Sequence, residues 1–90
     1  MKPVRFTSHV EKALVDRDIA PSEVRSAISN PDHRQPSKPP REVVSRLYFD
    51  KVTGSQMLLR VFIEESDSEI SVVTAYKTSK LRKYLPENKP

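Results

Sequence analysis

Apolar positions in the first third of the chain recur at helical spacing. Val10, Ala13 and Leu14 fall on one face of a helix, and Ser8 with Glu11 three residues later forms a capping box. Together they predict a first helix from His9 to about Arg17. Asp18-Ile19-Ala20 is a tight connection. Pro21, suited to a first helical position, opens a second helix whose buried face is Val24, Ala27 and Ile28. It ends at Asn30-Pro31, because the residue before a proline is pushed away from helical geometry. Ahead of both helices, Lys2–Phe6 reads as a short strand or lead-in.

From Glu42 the period changes to two. Glu42–Phe49 alternates and is rich in β-branched and aromatic residues, which predicts a strand. Asp50–Ser55 holds the chain's single glycine and reads as a turn. Gln56–Glu64 is the most apolar strand and is expected to be central. After an acidic turn at Glu65–Glu69, Ile70–Lys77 forms a third strand, and helical propensity resumes over Thr78–Leu85. Between the halves, Asp32–Arg41 contains three prolines and no aliphatic residue, and is predicted to be an extended, solvated loop. The expected fold is α+β: two N-terminal helices packed on a C-terminal antiparallel sheet of three to four strands, with a short C-terminal helix. One domain over residues 1–85 is expected, with 86–90 a disordered tail.

At 90 residues there is room for one core. The chain has no cysteine, which excludes thiol nucleophiles and disulfides and fits a reducing cytoplasm, the expected location. No apolar run approaches the roughly 18 residues of a membrane span, and the basic start is followed by no hydrophobic segment of the signal-peptide kind. The net charge of +4 favours polyanionic partners.

Against this background a few residues carry candidate chemistry. His9, in the first turn of helix one, moves protons near neutral pH, or is an exposed residue with no role. His33 lies in the proline-rich segment and reads as a solvated loop histidine. Two histidines without cysteine give no zinc spacing, and the scattered carboxylates give no calcium loop, so neither metal nor cofactor is expected. Arg46 and Arg60 each sit inside a strand, where a guanidinium either snorkels outward or lines a phosphate-binding cleft. Thr74 and Tyr76 share parity with Ile70 and Val72 and are expected on one face. Lys77, Lys80, Arg82 and Lys83, interleaved with Tyr76 and Tyr84, suit a nucleic-acid strand, the lysines for phosphates and the tyrosines for bases, or make a solvated basic face.

His9-Val10, Leu14, Arg17, Ile19, Val24, Ile28 and Asn30-Pro31, with the later Arg46-Leu47-Tyr48, Leu58–Ile63 and Val72-Val73-Thr74-Ala75-Tyr76, resemble the domain-of-unknown-function family 4258 over about residues 6–84. That family reads His-Ala, Arg-Met, Arg-Gly-Ile, then a valine and Asn-Pro. Here Val10 replaces alanine, Ala13 stands where arginine is common, and Asp18 replaces glycine. If that arginine binds phosphate, this chain lacks one ligand. The family is similar in layout to the barnase–EndoU–colicin–RelE group of small ribonucleases and toxins. The resemblance implies a histidine, an arginine and a hydroxyl in the site, which fall here on His9, Arg46, and Thr74 or Tyr76.

The expected function is a metal-independent ribonuclease of the bacterial toxin type, cleaving RNA by 2′-hydroxyl transesterification. His9 serves as base, Arg46 stabilises the phosphoryl oxygens with help from Lys80, and Thr74 or Tyr76 acts on the leaving oxygen. Arg17, Arg60, Lys77, Lys80, Arg82 and Lys83 are the expected RNA contacts. An acidic antitoxin protein is the expected partner. The alternatives are a non-catalytic nucleic-acid-binding module and a protein-interaction domain with a toxin-like fold.

Overall fold

A computed structural model describes residues 2–84. Two helices, α1 (Ser8–Asp16) and α2 (Pro21–Ser29), pack on one face of a five-stranded sheet. The strands are β1 (Val4–Arg5), β2 (His33–Pro36), β3 (Arg41–Asp50), β4 (Ser55–Glu65) and β5 (Ile70–Thr78), and α3 (Leu81–Tyr84) follows the last. Their order across the sheet is β1-β5-β4-β3-β2. The α+β class, the two early helices and the central position of β4 agree with the sequence reading. The positions expected of Leu85 and of the tail 86–90 lie outside the described residues.

Helix α1 is capped by Thr7, whose Oγ1 accepts from the Val10 amide at 3.2 Å, so Ser8 is the first helical residue and not the cap. Val10 and Leu14 turn inward, one helical turn apart. Asp18 takes a left-handed φ of 57° in the turn between the helices, and Ile19 after it is buried in the core. Helix α2 contributes Val24 and Ala27. These residues meet Val44 of β3, Leu59, Val61 and Ile63 of β4, and Ile70, Val72 and Ala75 of β5 in one core.

Three features differ from expectation. The sheet has five strands, because both flanking segments join it. Val4–Arg5 pairs in parallel with Ile70–Ser71, although sequence separates them by more than sixty residues. The proline-rich segment is not all loop: His33–Pro36 pairs antiparallel with Glu42–Ser45. Pro36, the one proline within β2, is tolerated because β2 is an edge strand, and an edge strand has one side free of ladder bonds.

The third difference is a register shift between Phe62 and Ile63, which leaves Val73 as an extra residue in β5. Without it Val72 and Ala75 would face opposite ways, yet both are in the helix-side core. Ile70 and Val72 therefore share a face with Ala75, while Thr74 and Tyr76 fall on the other parity. The expectation that all four of Ile70, Val72, Thr74 and Tyr76 point to one face is corrected.

A cross-strand arginine network ties the far end of the sheet together. Arg34 of β2 bonds both carboxylate oxygens of Glu42 at 2.6 and 3.1 Å and Glu65 of β4 at 3.0 Å, and Lys2 meets Glu65 at 2.7 Å. No helix among the described residues is long and apolar enough to cross a membrane.

Candidate nucleic-acid interface on the outer sheet face

Antiparallel partners directly opposite one another share a sheet face. The registers His33↔Ser45, Ser45↔Arg60 and Arg60↔Tyr76 therefore align His33, Ser45, Arg60 and Tyr76 in one row across four strands. The row lies on the face away from α1 and α2, because the intervening Val44, Val61 and Ala75 belong to the helix-side core. The next row carries Gln35, Val43, Phe62 and Thr74.

Arg60 is the centre of this face. It is only 7% exposed, yet it forms no ion pair with any carboxylate among the described residues. Its Nη1 donates to the Tyr76 hydroxyl, and its Nε is buried with no partner among the described residues. Aromatic rings surround the guanidinium: Tyr84 at 4.0 Å, Phe62 at 5.3 Å and Tyr76 at 5.6 Å from the ring centroids. Phe62 and Tyr76 are themselves stacked, and Tyr84 meets Tyr76 edge-on. Removing a cation from water without a counter-charge costs several kcal/mol, which ring contacts of about 1 kcal/mol each offset only in part. The guanidinium therefore keeps an uncompensated positive charge among the described residues. Burial holds the Tyr76 phenol above its ordinary pKa, so it keeps its proton well past neutrality.

At one end of the face Lys80, Arg82 and Lys83 project from α3 and the turn before it, all exposed. At the other, His33 bonds the Gln35 amide oxygen through Nε2 at 2.9 Å. Ser45 lies between His33 and Arg60 in the row and is itself buried, so the two larger side chains stand about 10 Å apart at the backbone.

The residues singled out from sequence are divided among different places. Arg60 and Tyr76 are together on the outer face, with Lys80, Arg82 and Lys83 nearby in chain and Thr74 one row away. Arg46 points to the helix side, where its Nη1 donates to the Asn30 carbonyl at 2.8 Å. Lys77 is also on the helix side, bonded to the Asp18 carbonyl at 2.9 Å and 3.6 Å from Glu23. Arg17 lies against β5, 3.5 Å from both Thr74 Oγ1 and the Ala75 carbonyl. His9 is exposed on the first turn of α1, and about 12 Å of helical rise separates it from Arg17. The four residues expected to form one catalytic group, His9, Arg46, Thr74 and Tyr76, thus do not converge.

The sequence reading of His33 as a solvated loop histidine followed from reading β2 as loop. The usable signal was the alternation His33, Gln35 against Arg34, Pro36, which is period two despite the proline. Among the described residues no three histidine, aspartate or glutamate side chains are gathered as a metal site. Comparison of the chain with protein-family models, with curated proteins and with solved structures finds no match.

Proposed function

We propose that the outer sheet face binds a single RNA strand and cleaves it without a metal ion. The observation that carries this reading is Arg60: a buried guanidinium with no carboxylate partner among the described residues, ringed by aromatic side chains. A phosphodiester supplies the missing charge, and Tyr84 and Phe62 offer flat surfaces to the flanking bases. The row His33, Arg60 and Tyr76 brings a histidine, an arginine and a hydroxyl onto one face, and this supports the reading; the family resemblance points to His9 and Arg46 instead of the first two.

In this mechanism neutral His33 takes the proton from a ribose 2′-hydroxyl, and that oxygen attacks the adjacent phosphorus. Arg60 stabilises the charge that builds on the phosphoryl oxygens. Tyr76, whose raised pKa keeps it protonated, gives its proton to the departing 5′-oxygen. The P–O5′ bond breaks, and the products are a 2′,3′-cyclic phosphate and a 5′-hydroxyl end.

The test is cleavage of end-labelled single-stranded RNA in EDTA by wild type and by His33→Ala, Arg60→Met, Tyr76→Phe and His9→Ala. Cyclic-phosphate fragments from wild type and His9→Ala, with losses of about a hundredfold or more in the other three, are expected. RNA bound but left intact would reduce the reading to a binding module. No binding at all, or activity lost only in His9→Ala, would overturn the site.

A further inference from the structure

A second constellation lies on the opposite side of the sheet. Where α2 crosses β3 and β4, a cavity of about 210 Å³ is lined by Glu23, Ser26, Arg46, Tyr48 and Leu59. The pairing of β2 with β3 stops at Ser45, and beyond it Asp32 borders Arg46, its amide donating to the Ser45 carbonyl at 2.8 Å and its carboxylate accepting from the Leu47 amide at 2.7 Å.

The charges in this cavity do not cancel. Glu23 is the acidic lining residue, and Lys77 stands 3.6 Å from it, anchored on the Asp18 carbonyl. That pair leaves Arg46 as the surplus charge. Arg46 uses Nη1 on the Asn30 carbonyl, and it makes no ion pair among the described residues. Its Nε–Nη2 edge, the pair of donors that grips a carboxylate side-on, has no protein acceptor among the described residues.

Tyr48 provides a second unmatched donor. Its hydroxyl is buried, and burial pushes the phenol above its ordinary pKa against the opposing pull of the Lys77 ammonium beside it; Lys77 can only donate to the phenol oxygen, so the O–H proton has no acceptor among the described residues. A buried hydroxyl left unpaired costs about 1–3 kcal/mol, which a bound acceptor would recover. The Tyr48 ring, with Lys77 Nζ 5.4 Å from its centroid, and the Leu59 side chain form an apolar wall.

We propose that this cavity binds a small carboxylic acid with an apolar body. Its carboxylate lies against Arg46 and accepts from the Tyr48 hydroxyl, and its apolar part rests on Leu59 and the Tyr48 ring. The site is independent of the outer face, since the sheet separates Arg46 from Arg60.

The experiment is isothermal titration of the full chain with benzoate, acetate and inorganic phosphate, repeated on Tyr48→Phe and Arg46→Gln. Saturable benzoate binding is expected, at least tenfold tighter than acetate, with Tyr48→Phe weakening it about tenfold and Arg46→Gln abolishing it. Tyr48→Phe removes one hydroxyl without changing the ring, so it remains informative if Arg46→Gln loses its bond to Asn30 and folds poorly. Absence of benzoate binding, equal binding by Tyr48→Phe, or phosphate binding as tight as benzoate would overturn the proposal. The RNA assay reads Arg60 and not this cavity, so the two readings fail separately.

Discussion

At the scale of the residue, two side chains are held where the fold gains little from them. Arg60 is buried without a counter-ion, and its bond to Tyr76 and its ring contacts return less than the several kcal/mol lost on desolvation. Replacing it by methionine keeps the packing and removes the charge. Arg60→Met is therefore expected to raise stability by about 1 kcal/mol, read from the urea midpoint, and under the proposed function to abolish RNA binding. A lower midpoint would mean that the guanidinium supports the fold. Asp18 is the second case. Its φ of 57° is costly for a residue with a Cβ, and glycine relieves that at the expense of a more flexible unfolded chain. Asp18→Gly is expected to gain about 0.5 kcal/mol in the same measurement. A loss would assign a role to the carboxylate.

At the scale of the element, β2 is short and sits at an edge, so its attachment rests on side chains as well as ladder bonds. Arg34 reaches Glu42 on β3 and Glu65 on β4. The Arg34 hydrogen bond is the main reason Glu42 stays ionised below the ordinary glutamate range, and Lys2 followed by Arg34 does the same for Glu65. A carboxyl with a lowered folded pKa adds stability above its unfolded pKa of about 4.3, and that stability is lost as pH falls through the folded value. Arg34→Gln is therefore expected to lower the melting temperature at neutral pH and to flatten its decline in acid. The partners are partly exposed, so the Glu42 pair contributes at most about 1 kcal/mol. Melting curves for both proteins from about pH 6 to about pH 3 check this, and parallel declines would remove the network from the account.

At the scale of the whole molecule, the two faces of the sheet have different work. One face is covered by α1 and α2 and supplies the core. The other carries Arg60 and leads to the basic residues Lys80, Arg82 and Lys83. If these four cations each neutralise one phosphate of a single strand, log affinity should fall with log salt at a slope of about −3. Fluorescence anisotropy with a labelled RNA across a salt series measures it. A slope near zero would take the basic end out of the interface.

The residue pattern by itself determined the local elements. Helical spacing at Val10, Leu14, Val24 and Ala27 gave α1 and α2, Pro21 and Asn30-Pro31 bounded the second, and alternation gave β3, β4 and β5. Those signals are local because they come from backbone propensity and from the need to bury one face. It also singled out Arg60 and Tyr76 as candidate contacts, from residue type alone. Tertiary structure decided which side chains meet. A single extra residue, Val73, reversed the facing of Thr74 and Tyr76 relative to Val72, and no periodicity in a nine-residue strand reveals such a bulge. Edge pairing made a strand of His33–Pro36 despite its proline and set His33 in the row of Arg60. Arg46 and Arg60 look alike in sequence, each an arginine among strand residues. Register sent them to opposite faces, because a pleated strand sorts its side chains by parity relative to its neighbours, and those neighbours are fixed only when the sheet is assembled.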